Sequence, residues 1–126
     1  MFDQQLPEPA TVVGLPDAAL VDTMAQCAAA EAAAAGRRLV IIAEFAVRRL
    51  GGEHADWATD DWDAASVEIG AALDVSMGRA STQMDLALKL RTRLPRVTAL
   101  LREGKVSLQV ARTAATRTDL ILDLDA

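Results

Sequence analysis

A chain of 126 residues has room for one domain with an appendage and not for a second core, and an apolar content of 52% with only 3% aromatic residues favours helix over a strand-rich fold. The net charge of −5 hides an asymmetry: residues 1–75 hold four basic and thirteen acidic side chains, whereas residues 76–118 hold nine basic ones against Asp85 and Glu103. The longest uncharged runs, such as Thr23–Ala30, fall far short of the roughly 20 apolar residues of a membrane helix, the N-terminus lacks a basic-then-apolar secretory signal, and one cysteine, Cys27, forms neither an internal disulfide nor a multi-thiolate zinc site, so a cytoplasmic protein without membrane contact is expected.

Residues 1–16 carry Pro7, Pro9, Gly14 and Pro16 without an amphipathic period and read as an extended, mobile leader. A helical domain is expected over 17–126. Its first helix begins at Asp17, because Pro16 suits a helix start and an early Asp complements the positive end of the helix dipole, and it runs to Leu50 ahead of Gly51-Gly52. Leu20, Met24, Cys27, Ala35, Leu39, Ile42, Ala46 and Leu50 form one stripe along it, with Gly36 as a point of interruption. Unbroken, this helix is roughly 50 Å long at about 1.5 Å per residue. So small a domain cannot cover that length, and Leu39-Val40-Ile41-Ile42 is apolar all round, so a second copy or further polypeptide is expected against it.

Residues 51–61 form a polar connection in which Thr59, Asp60 or Asp61 caps a helix from about Trp62 to Leu73. Glu53, Asp56, Asp60, Asp61 and Asp63 beside His54 look like metal ligands, but acids before a helix are accounted for by capping and the dipole, and no second His completes a transition-metal site. Trp57 and Trp62 read as packing anchors. Helices Met77–Leu94, Pro95–Glu103 and Leu108–Thr118 follow, with Ser76 and Ser107 as caps and Gly104 as a stop. The fold class is therefore all-α: a long N-terminal helix followed by a bundle of short helices.

Within the bundle, Val67, Ala71, Leu73 and Val75 precede Ser76, and Ala80, Met84, Ala87 and Leu88 follow it. Two short amphipathic helices around a three-residue turn make a helix-turn-helix-like pair, whose second helix would present its first turns to base edges in the major groove of double-stranded DNA. Ser76, Met77, Arg79, Ser81, Thr82 and Gln83 are the base-facing residues, of which Ser76, Arg79 and Gln83 are the candidate site residues, and Lys89, Arg91, Arg93 and Arg96 are the candidate phosphate contacts. Asp74 stands where such turns usually carry Gly, although Asp tolerates the left-handed conformation, and Gly78 costs the second helix about 1 kcal/mol relative to Ala.

The stretch Glu68-Ile-Gly-Ala-Ala-Leu-Asp-Val-Ser76, with Arg93-Leu-Pro95, Leu100-Leu-Arg-Glu-Gly-Lys-Val-Ser107 and Ala111-Arg112, resembles the 13E12-repeat proteins of actinobacteria. The resemblance covers about residues 17–126. It implies a helical domain of unknown function, usually N-terminal to an HNH nuclease module, and an association with DNA-cutting proteins. It does not transfer nuclease activity: an HNH site needs at least two histidines around a metal, and His54 is the one histidine here. The chain then reads as lacking that module, its domain cut short near Ala126. The same turn and the Gly104-Lys105-Val106-Ser107 stretch are also similar to the helix-turn-helix region of ParB-type partition proteins, with Val110 where a His commonly stands.

No nucleophile–base pair, phosphate loop, metal cluster or cofactor motif is present, so no catalytic, metal or cofactor site is expected. The leading expectation is a non-catalytic module that binds or positions DNA through Ser76–Arg96. The competing one is a structural module without nucleic-acid contact, forming a homodimer through residues 17–50 or docking to a separate nuclease domain.

Overall fold

The structure, a computed structural model, describes residues 8–51 and 58–125, and of these the side chains of residues 58–59 and 122–125 are left aside. Among the described residues six helices follow one another: α1 (Pro9–Val12), α2 (Asp17–Leu50), α3 (Ala58–Leu73), α4 (Met77–Arg93), α5 (Pro95–Arg102) and α6 (Leu108–Asp125). The all-α architecture with a long second element is as expected. The described part of the leader contains one helical turn, α1, opened by Pro9 at its first position.

Helix α2 spans all 34 residues without interruption. Gly36 is no break because it serves packing: α5 crosses so closely that a Cβ there would lie 2.8 Å from the Arg102 backbone nitrogen. Helix α3 begins four residues before Trp62, so Asp60 and Asp61 lie inside its first turn, where the dipole favours acids, and are not its caps. Its seam also differs from the expected one. Ala65, Ser66, Ile69 and Gly70 are buried, whereas Val67 and Ala71 face out. Trp62 anchors α3 to α4 by donating its indole N–H to Ser81 Oγ at 2.8 Å.

Two turns share one construction. After α3, Asp74 takes the left-handed conformation at φ 57° and the Val75 N–H donates to Gly70 O at 3.0 Å. After α5, Gly104 does the same at φ 73° and the Lys105 N–H donates to Leu100 O at 2.9 Å. Both are Schellman closures, which satisfy carbonyls orphaned at a helix end. Each is followed by a serine cap: Ser76 Oγ accepts from the Arg79 N–H and Ser107 Oγ from the Val110 N–H, both at 3.2 Å.

Helix α4 is the hub, packed against α2, α3, α5 and α6. Ala43, Ala46, Ala80, Ala87 and Ala111 let the helices approach closely around Met84, Leu90 and Leu101. The buried part of α2 is confined to Ala32–Ala46. Helix α6 outruns its expected end at Thr118 by seven residues, and Asp119 ties it back to α4.

Candidate functional site

The seven candidate DNA contacts do not share a face. Ser76 spends its hydroxyl on capping α4. Gln83 accepts at Oε1 from Arg38 Nε of α2 at 3.2 Å, a contact 45 residues apart in sequence. Lys89 Nζ lies 2.7 Å from Asp85 and 2.6 Å from Asp119, and Arg93 pairs with the same Asp119. Arg91 turns the other way, to Glu44 of α2 at 3.5 Å, because a two-residue step rotates the side chain by about 200°. Arg79 and Arg96 are exposed, and among the described residues neither has an ion-pair partner.

The Asp119 cluster shows in its protonation equilibria. Hydrogen bonds from Lys89 and then Arg93 hold the Asp119 carboxyl below the usual carboxylate value, and bonds to Asp119 and then Asp85 raise the Lys89 ammonium above its ordinary one. This cluster fastens α6 to α4. The basic segment is thus partly consumed in holding the bundle together.

Of the concave features along α2, two bear on function. The larger is an apolar groove of about 790 Å³ between α2 and α3, floored by Ile42, Phe45, Ile69 and Leu73. Ile41, 68% exposed, stands on its wall, with Arg37 and Arg38 among its polar lining. The smaller is a cavity of about 310 Å³ where α2, α4 and α6 meet at the Asp74 turn. Its polar lining is Arg38, Arg79, Gln83 and Arg112, and its apolar walls include Val75 and Leu108.

Arg79 and Gln83 were legible as a pair because they are four residues apart on one helix. Arg38 and Arg112 were not, since each belongs to another helix. The one available signal for Arg112 is its place in the first turns of a serine-capped helix, like Arg79. The acids beside His54, apart from Asp60, Asp61 and Asp63, and Trp57 lie outside the described residues, and no described helix is long and apolar enough to cross a membrane.

Comparisons with known proteins set this architecture in a family. Residues 26–126 match the domain of unknown function DUF222. The uncharacterized protein Rv3776 of Mycobacterium tuberculosis (strain H37Rv) is 46% identical over 127 residues, covering 100% of this chain and 24% of the relative. The uncharacterized protein Rv2100 of the same strain is 46% identical over 124 residues, covering 98% of this chain and 22% of the relative. An uncharacterized Mycobacterium tuberculosis protein in the est 3'region is 46% identical over 127 residues and 36% covered. The chain therefore spans between about a fifth and a little over a third of the length of these relatives, and no solved structure matches it. With all but the start of α2 and the leader inside the match, the chain belongs to the DUF222 family.

Proposed function

We propose that this chain is a non-catalytic docking module whose α2/α3 groove seats a helical segment of the further polypeptide that the longer family members carry. The groove carries this reading: it is apolar, continuous with the core through Ile42 and Ile69, and walled by an Ile41 that is 68% exposed. Apolar concavities on that scale gain free energy when covered, and a groove between two helices suits the apolar face of a third. Arg37 on its lining favours an acidic residue on the occupant, since the one acid there, Glu68, is engaged by Arg49 and Arg38 by Gln83. If the family is that of the 13E12-repeat proteins, the occupant belongs to an HNH nuclease module and the domain positions that module.

The test uses this chain and the Rv3776 protein lacking its own matching region. Size-exclusion chromatography with light scattering should show a one-to-one complex, lost in Ile41→Asp, which leaves the core untouched. Separate elution of the two proteins would overturn the reading.

A second reading, a DNA-positioning module, is favoured by Arg79 and Arg96, which stay exposed beside the α3–α4 turn and at the start of α5. Anisotropy of labelled duplex DNA would then weaken with salt at a slope of about −0.9 per phosphate contact and weaken further in Arg79→Gln/Arg96→Gln. The absence of binding at low salt would remove it.

A further inference from the structure

We infer that the cavity between α2, α4 and α6 is a phosphate-binding site built from Arg38, Arg79, Arg112 and Gln83. These side chains come from three helices and converge on one space of about 310 Å³, large enough for a phosphate group with part of what it is attached to.

The charge balance of the cavity is what points to an anion. Elsewhere on α4 the cations are matched: Lys89 has Asp85 and Asp119, Arg93 has Asp119, and Arg91 has Glu44. Arg38, Arg79 and Arg112 have no carboxylate partner among the described residues, and no acid lines their cavity. Three like charges gathered at one concavity repel one another, and a bound anion reverses that cost. Two acids adjoin lining residues in sequence: Asp85, beside Leu86, is paired with Lys89 and with Asp119 faces a neighbouring cavity that Arg112 also lines, whereas Asp74, between Leu73 and Val75, is in no ion pair among the described residues, and neither lines this cavity.

The donor geometry selects phosphate among anions. Guanidinium groups offer planar pairs of N–H donors that match phosphate oxygens two at a time. Arg38 is already steered, since its Nε donates to Gln83 Oε1 at 3.2 Å, which leaves its terminal nitrogens to reach a ligand and fixes the amide of Gln83 beside them. Val75 and Leu108 put the starts of α4 and α6 at the cavity wall, so the positive ends of two helix dipoles add to the field of the arginines.

The site is independent of the docking groove, although Arg38 and Leu73 line both. It shares Arg79 and Gln83 with the DNA reading, so the phosphate can be a free phosphorylated solute or a nucleic-acid backbone, and the experiment separates the two.

The experiment is titration of the full chain with inorganic phosphate and with pyrophosphate, against chloride at matched ionic strength, read by thermal unfolding and by 31P line broadening. Binding should raise the melting temperature in a saturable way. Arg79→Gln and Arg112→Gln should each weaken it by about tenfold, the loss of a charge-assisted bond. Asp74→Asn should tighten it, and Arg117→Gln, an exposed α6 residue outside the cavity, should change nothing. Circular dichroism of each variant excludes loss of fold. No phosphate effect beyond chloride, or equal weakening by Arg117→Gln, would overturn the proposal. Once phosphate binds, a short duplex that competes for the same site assigns the phosphate to nucleic acid, and a duplex that does not compete assigns it to a free solute.

Discussion

The two halves of α2 are equally rich in alanine and have opposite fates. From Ala32 to Ala46 the helix is embedded, with Ala33, Leu39, Ile42 and Ala46 nearly inaccessible. From Asp17 to Glu31 it carries Val21 and Met24 in the open and has no buried residue. Local propensity runs the helix through both, since Ala is the strongest helix former and no Pro intervenes. What separates them is how closely other helices cross: α5 passes at Gly36, α4 meets Arg38 and Glu44, α3 meets Arg49, and the first four turns are at most partly covered.

The sharpest way to break this comparison is a charge on the stripe in each half. Ile42→Asp, at a core site only 4% exposed, should unfold the domain, because an unpaired carboxylate is costly to bury. Met24→Asp, on the same expected stripe but 63% exposed, should shift stability by no more than about 0.5 kcal/mol. Urea denaturation followed at the helical circular-dichroism band measures both. Equal losses would mean that the first half of α2 is also packed, for instance in a dimer through residues 17–50.

A pair of glycines gives the next largest contrast. Gly36→Val should destabilise by about 3 kcal/mol despite the higher helix propensity of Val, because its Cβ would meet the Arg102 backbone at 2.8 Å. At Gly78 an added Cβ meets only Ser76 Oγ at 4.0 Å, so Gly78→Ala should stabilise by about 0.5–1 kcal/mol. The same two urea titrations decide whether propensity or packing governs each site.

The smallest effect lies in the Asp119 cluster that pins the far half of α6. Because Asp119 is held below its ordinary value, its contribution is present above the unfolded carboxylate range and lost as pH falls through the lowered folded value, below about pH 4. Lys89 works in the opposite direction: its raised value keeps its contribution intact until pH climbs past the ordinary lysine range. The melting temperature of Asp119→Asn should therefore change less than that of the parent chain as pH falls from about 5 to 2, and should lie below it at neutral pH. A parallel pair of pH profiles would show that the cluster contributes nothing.

Much of the scaffold was legible because its signals are local. Pro16-Asp17 starts α2, Ser76 and Ser107 cap α4 and α6, Gly104 closes α5, and Asp74 takes the left-handed turn that a Gly would usually supply. The start of α3 and the end of α6 were misplaced because neither is marked by a Gly or Pro. The α3 seam was displaced by one position on the helix, which exchanges Val67 for Ser66 and Ala71 for Gly70, since a short Ala-rich helix looks apolar on several faces. Type and helix position mark the candidate DNA contacts; the i,i+4 spacing of Asp85 and Lys89 is readable in the sequence, but nothing local reveals that Glu44 and Asp119 meet Arg91, Lys89 and Arg93.

From the sequence alone came five of the six helices of the described residues and the turns between them, which depend on residues within about one helical turn of each other, and the charge asymmetry, which needs only counting; the short α1 was not among them. Only the tertiary structure decided which half of α2 is covered, which arginines are neutralised and which are left to converge on one cavity. Those outcomes depend on partners such as Arg38 and Gln83, or Lys89 and Asp119, that are 45 and 30 residues apart and are brought together only when burial of the shared alanine-lined core sets how the helices cross.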